Sequence, residues 1–184
     1  QAMGSTGRVL LGVACPIRDR SVLQVEQRLT APFPFDMDPQ RAAENCPNPA
    51  GNLPALAMAS AGEVGLHVLP DADGIIRRYA FAFRTKQAPI AMLGTGTAIA
   101  SHLDRREELT ARAAAWAESP PLLRFRPTSS FRTVRFSDVL EAAPDSAPLR
   151  AALEGQAVIV GVSALGVEDL RSTSIEQDIP GVFI

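Results

Sequence analysis

Ala157-Val158-Ile159-Val160-Gly161-Val162 is an unbroken apolar run, and four of its six residues are β-branched. Its length and composition fit a fully buried strand, and Gly155 just before it supplies the turn that leads in. A second run of the same texture, Arg8 to Ala14 (RVLLGVA), is bounded by Gly7 and Pro16 and reads the same way. Segments of helical character lie between the two. Leu53 to Ser60 is a short helix, and Pro89 to Leu103 is a buried one, although Gly94 and Gly96 weaken it by about 1 kcal/mol each. In the next helix Leu109, Ala113, Trp116 and Ala117 share a face, Glu108 and Arg112 form an i,i+4 pair, and Pro120-Pro121 ends the run. Leu122 to Arg126 and Phe131 to Phe136 read as strands, Ser137 caps a helix through Leu140, and Leu149 to Leu153 is helical again. Buried strands alternating with helices predict an α/β fold, with a mixed, largely parallel sheet flanked by helices.

An antiparallel hairpin completes this expectation. Glu63 to Leu69 and Ile75 to Arg84 are its arms, and Pro70-Asp71-Ala72-Asp73-Gly74 has the composition of the tight turn between them. Ile75, Tyr79, Phe81 and Phe83 share the buried face of the second arm, and Arg78 and Arg84 share the other.

The length of 184 residues predicts one domain over 1–184, with residues 1–7 as a lead-in whose Gln1-Ala2-Met3-Gly4-Ser5 looks like an expression remnant. Residues 16–52 form a long Pro-rich excursion, read as a solvated, variable insertion with one short element around Val22 to Leu29. Eighteen basic residues against twenty acidic ones leave no basic stripe, which argues against nucleic acid as a partner. No apolar run reaches the roughly 18 residues of a membrane span.

Cys15, Cys46, His67 and His102 are scattered singly, without the close pairs that fix a zinc tetrahedron, so no metal and no cofactor is expected. Cys15 and Cys46 each precede a proline; they are either a disulfide in an oxidising compartment or two buried thiols. Gly161-Val162-Ser163-Ala164-Leu165-Gly166 resembles a hydrolase elbow with one residue too many before the second glycine, and both histidines precede Ser163. A small serine hydrolase is therefore only a remote alternative. Gly94-Thr95-Gly96-Thr97 lacks the lysine of a phosphate loop and is better suited to close helix packing. Asp71 and Asp73 read as turn residues rather than calcium ligands, and Arg124, Arg126, Arg132 and Arg135 as a solvated face.

Three stretches carry a more specific signal when taken in order. They are Pro70-Asp71-Ala72-Asp73-Gly74-Ile75-Ile76-Arg77-Arg78; Leu123-Arg124-Phe125 with Phe131-x-x-Val134-x-Phe136-Ser137-Asp138-Val139-Leu140; and Gly155 to Ala164 running on to Asp169-Leu170 and Pro180-Gly181-Val182-Phe183-Ile184. Together they resemble the second type of CHASE domain, a sensory extracellular module, over residues 60–184. The resemblance leaves the N-terminal excursion outside the match and implies a chain that starts partway into the domain. Where that family carries Thr-Pro after its Asp-Leu pair, this sequence has Arg171-Ser172 after Asp169-Leu170.

The resemblance implies a non-catalytic signal-input domain on the periplasmic side of a cytoplasmic membrane. Flanking segments would hold it there and couple it to an output such as a nucleotide cyclase or histidine kinase. Its partner would be a small-molecule or protein signal. The strand-end rule places a ligand pocket at Ser163 and Ala164, with Asp169, Thr173 and Arg78 beside it. The alternative is a module that binds no small molecule and joins receptor protomers as a homodimer.

Overall fold

Gly62-Glu63-Val64-Gly65 is buried at every position, and its neighbours organise the first half of the molecule. The computed structural model describes residues 8–15, 29–42, 44–46, 48–86, 88–117, 119–161 and 170–184. In chain order its strands are β1 (Leu10–Val13), β2 (Glu44–Asn45), β3 (Gly62–Gly65), β4 (Ile75–Ile76), β5 (Ala82–Arg84), β6 (Pro89–Ala91), β7 (Leu170–Thr173) and β8 (Ile179–Pro180). The helices are α1 (Pro54–Ala59), α2 (Leu93–Ser101), α3 (Arg106–Ala117), α4 (Phe136–Glu141) and α5 (Ala147–Leu153). The fold is α/β, with small sheets that mix parallel and antiparallel pairs. The chain divides into two compact units, one of residues 1–69 and 78–122, the other of 70–77 and 123–184.

In the first unit β1 runs parallel to β3, from Leu10 opposite Gly62 to Val13 opposite Gly65. A three-stranded sheet places β5 between β2, which is parallel to it, and β6, which is antiparallel. The hairpin is thus β5–β6, not the expected arms on either side of Pro70–Gly74. Its tight turn is closed by Thr85, whose N–H and hydroxyl donate to the Ala88 carbonyl at 3.2 and 2.7 Å. Pro89 to Ala91 therefore forms a strand where a helix was expected, and α2 starts only at Leu93.

That helix begins without a capping side chain of its own, since Met92 stands at the N-cap. The phenol oxygen of Tyr79 takes the role, accepting from Gly94 N–H at 2.7 Å and Thr95 N–H at 3.3 Å. The glycines explain the fit. A Cβ at Gly94 would stand 2.8 Å from that phenol oxygen, and one at Gly96 would stand 2.6 Å from Val64 Cγ1. In α3 the expected Glu108–Arg112 pair is present at 3.5 Å, and Ala113 and Ala117 are buried. Trp116 lies against Phe81, with Arg112 over its ring.

The described part of the Pro-rich excursion, from Leu29 on, is not a solvated insertion. Phe33, Phe35, Met37 and Ala42 join Val64, Ala82, Ala91 and Ile99 in one core cluster, and Leu29 and Cys46 join Val13, Phe83, Ile90 and Met92 in another. From Phe33 to Asp38 buried and exposed residues alternate strictly, as in a strand. Pro32 and Pro34 carry no N–H, so the stretch is extended without a regular ladder. Prolines therefore mask a period of two that is otherwise plain. Of the element expected at 22–29, all but Leu29 lies outside the described residues.

In the second unit β4 pairs parallel with β7, Ile75 opposite Ser172 and Ile76 opposite Thr173, and β8 runs antiparallel to β7. Ile76 is the fully buried member of β4, so the face expected for Ile75 is turned by one residue. The turn from Asp71 to Gly74 has the expected chemistry: Gly74 has φ +82°, and its N–H donates to the Asp71 carbonyl at 2.9 Å. Arg135, not Ser137, stands at the N-cap of α4.

Three expected strands are corrected here. Leu123 to Phe125 and Phe131 to Arg135 form no strand, and Leu122 in the first unit makes only an isolated bridge to Arg78. Ala157 to Gly161 is not a buried strand either. Val158, Ile159 and Val160 are 53, 54 and 75 % exposed. Strand propensity reports fit to a pleated, half-covered surface, and among the described residues no neighbouring strand supplies that surface to this run.

Candidate functional site

Of the residues named for a ligand pocket, Ser163, Ala164 and Asp169 lie outside the described residues. Thr173 ends β7, and its hydroxyl is committed to the following turn. It donates to the Glu176 carbonyl at 3.1 Å and accepts from the Glu176 N–H at 3.1 Å and the Ile175 N–H at 3.4 Å. The Arg78 side chain is exposed in the first unit, whereas Thr173 belongs to the second. Arg124, Arg126, Arg132 and Arg135 are all exposed.

The most organised polar site in the first unit is one that sequence reading passes over. Glu63 has no exposed surface, yet it sits in the middle of β3. One carboxylate oxygen, Oε2, accepts from the N–H groups of Thr30 at 2.8 Å and Ala31 at 2.9 Å. The other, Oε1, accepts from the Asn52 N–H at 2.9 Å and the Asn52 side-chain amide at 3.2 Å. The same amide also donates to the Gly12 carbonyl at 3.2 Å. Burial pushes the Glu63 pKa up, but the donors of Asn52, Ala31 and Thr30 outweigh it and hold the carboxyl below its ordinary value. A carboxylate met by four donors is a fastening rather than a reactive acid: it ties residues 30–31 and 52 of the excursion to β3 and, through Asn52, to β1. The sequence signal was a single acidic residue inside the otherwise apolar Gly-Glu-Val-Gly.

A second fastening is covalent. Cys15 and Cys46 are joined as a disulfide, their Cα atoms 5.7 Å apart. Cys46 is 1 % exposed within the cluster of Val13, Phe83, Ile90 and Met92, while Cys15 is half-buried.

The second unit holds a charged turn. Arg77 reaches Asp73 through both terminal nitrogens, at 2.9 and 2.8 Å, and Asp71 at 3.0 Å. Hydrogen bonding from Arg77, and then from the Ile75 N–H, lowers the Asp73 pKa to about 2, and the bonds to Asp73 and Asp71 raise that of Arg77. The Asp73 carboxylate serves both the turn and the arginine, and the Asp71 carboxylate holds the arginine. Nearby, Glu176 accepts from the Thr128 N–H at 2.8 Å and hydroxyl at 3.3 Å.

Among the described residues no three His, Cys, Asp or Glu side chains converge as a metal set, and no helix is long and apolar enough to cross a membrane. The His67 ring packs on Phe83, and His102 is exposed at the end of α2.

The family model described as CHASE2 domain matches residues 3–184. It takes in the Pro-rich excursion, which the resemblance read from the sequence leaves out. Neither the curated proteins nor the solved structures give a match. The chain belongs to the CHASE2 family, a family of extracellular sensory domains.

Proposed function

We propose that this CHASE2 domain is the signal-input domain of a membrane-anchored bacterial receptor, held on the extracytoplasmic side of the cytoplasmic membrane and feeding a cytoplasmic output such as a nucleotide cyclase or histidine kinase. The observation that carries the location is the Cys15–Cys46 disulfide, because such bonds persist in oxidising compartments and are rare in the cytosol. In this reading the domain is not itself an enzyme. A signal acts by binding one arrangement of the domain more tightly than another, and only that difference moves an equilibrium. The proposed ligand contacts are Ser163, Ala164 and Asp169.

The parent open reading frame and a topology reporter test this reading together. Membrane spans on both sides of the segment, with alkaline phosphatase active when fused at Ile184, are the expected result. A frame without spans, or a fusion active only as a cytoplasmic reporter, overturns it. Asp169→Ala should weaken any ligand recovered by screening, and unchanged binding moves the pocket elsewhere.

One observation favours a second reading, in which the domain joins protomers as a homodimer without a small ligand. The apolar run Val158-Ile159-Val160 is open to solvent, as an association surface would be in the free chain. Light scattering over a concentration series should then show a dimer, and a monomer throughout rejects it.

A further inference from the structure

We infer that the Cys15–Cys46 disulfide is a thiol-responsive latch, which holds the edge strand β2 on β5 and, when reduced, opens that edge without unfolding the unit around it. The meaning of such an opening as a signal rests on the input-domain reading above, but the latch itself does not.

The geometry gives the excursion two independent fastenings of different chemistry. The Glu63 carboxylate clamps the two ends of its 30–52 segment, at Thr30, Ala31 and Asn52. Between these ends β2 is only two residues long, with Glu44 opposite Phe83 and Asn45 opposite Arg84. Two further backbone bonds reinforce it, Cys46 N–H to the Arg84 carbonyl at 2.7 Å and Ala50 N–H to the Ala14 carbonyl at 2.8 Å. So short an edge pairing is marginal without help, and the disulfide joins it covalently to the residue that follows Ala14. Cutting the disulfide leaves the carboxylate clamp intact, which confines the change to the stretch that carries Cys46 and Ala50.

Access is asymmetric. Cys46 is sealed in the apolar cluster, while Cys15 is half-buried, so an incoming thiolate attacks the Cys15 sulfur. The S–S bond breaks, Cys46 leaves as a thiolate and takes up a proton, and Cys15 is held in a mixed disulfide. A second thiol attacks the reductant's sulfur in that mixed disulfide and releases Cys15. The net change is one protein disulfide reduced to two thiols, with two small thiols, or one dithiol, oxidised to a disulfide. Once β2 lifts, the main chain of β5 is an open edge, and an open edge accepts another strand.

Hydrogen exchange on the 184-residue chain, oxidised and in dithiothreitol, tests the latch, with thiol titration counting the cysteines released. Cys15→Ser gives the open form without a reductant. The expected result is exchange faster by about tenfold or more at the amides of Cys46 and Ala50, in dithiothreitol and in the variant alike. The amides of Thr30, Ala31 and Asn52, and that of Gly96 in α2, should keep their protection. Exchange at Cys46 and Ala50 that stays slow after both thiols titrate rejects the latch. So does loss of protection throughout the unit, which makes the bond a general staple, and so does a native disulfide that dithiothreitol does not reduce. None of these readouts depends on membrane attachment, so failure of the latch and failure of the receptor reading are separately visible.

Discussion

The Glu63 carboxylate accepts from Asn52 twice, from its main-chain N–H at 2.9 Å and from its side-chain amide at 3.2 Å. Because the other carboxylate oxygen holds Thr30 and Ala31, one side chain fixes two separate points of the excursion. An apolar strand thus carries a buried charge that is fully used.

Glu63→Gln keeps the volume but turns an amide NH2 toward backbone donors, so at least one buried N–H loses its acceptor. The expected loss is about 2 to 3 kcal/mol in denaturant unfolding. Exchange should also quicken at Thr30, Ala31 and Asn52. A variant within about 0.5 kcal/mol of the parent would show that the clamp contributes nothing net.

Acid should act through the same group. The Glu63 pKa is lowered in the folded chain, so its contribution is present above the unfolded carboxyl value near pH 4.5 and is lost as pH falls through the folded one. Asp73, lowered to about 2, adds loss in the same direction. Unfolding curves at a series of pH values should therefore be flat near neutrality and decline in acid, and Glu63→Gln should make the decline shallower. Parallel curves for the two proteins would assign the acid loss elsewhere.

Gly96→Ala sets helix propensity against packing. Alanine gains about 1 kcal/mol in a helix interior, but its Cβ would lie 2.6 Å from the stiff, buried Val64 side chain. Overpacking of this kind costs about 1 to 3 kcal/mol, so a net loss of stability is expected. Thermal unfolding decides the sign, and a stabilised variant would mean that Val64 moves aside freely.

The disulfide constrains the unfolded chain as well as β2. Closing a loop with a sequence separation of 31 is worth roughly 3 to 4 kcal/mol of global stability. Cys15→Ser should lose about that much in equilibrium unfolding at neutral pH, a quantity separate from the local exchange at Cys46 and Ala50. Unchanged global stability would mean that the unfolded chain already keeps these residues close.

The sequence made some parts of this molecule plain and hid others for physical reasons. The strand within Arg8 to Ala14, the turn ending at Gly74 and the Glu108–Arg112 helix each depend on local chemistry, and the structure has all three. Pro89 to Ala91 was hidden because a short apolar run ahead of a helix has no period of its own, and only pairing with β5 makes it a strand. Ala157 to Gly161 failed in the opposite direction: its residues suit a covered strand, but composition does not provide the cover. The clamp at Glu63 was out of reach because its partners are mainly backbone N–H groups, which every residue but proline has. Of the proposed pocket, only Arg78 and Thr173 fall on described residues, and the structure shows the Thr173 hydroxyl engaged in its own turn.

The alternation from Phe33 to Asp38 gives this Pro-rich stretch a parity. Ordinary loops vary in length by any number of residues, since nothing counts along them. Here removal of a single residue between Phe33 and Met37 would turn the side chains beyond it from core to solvent, whereas removal of two would preserve every assignment. Length variation along this segment should therefore come in even steps, the mark of a strand that prolines have stripped of its ladder.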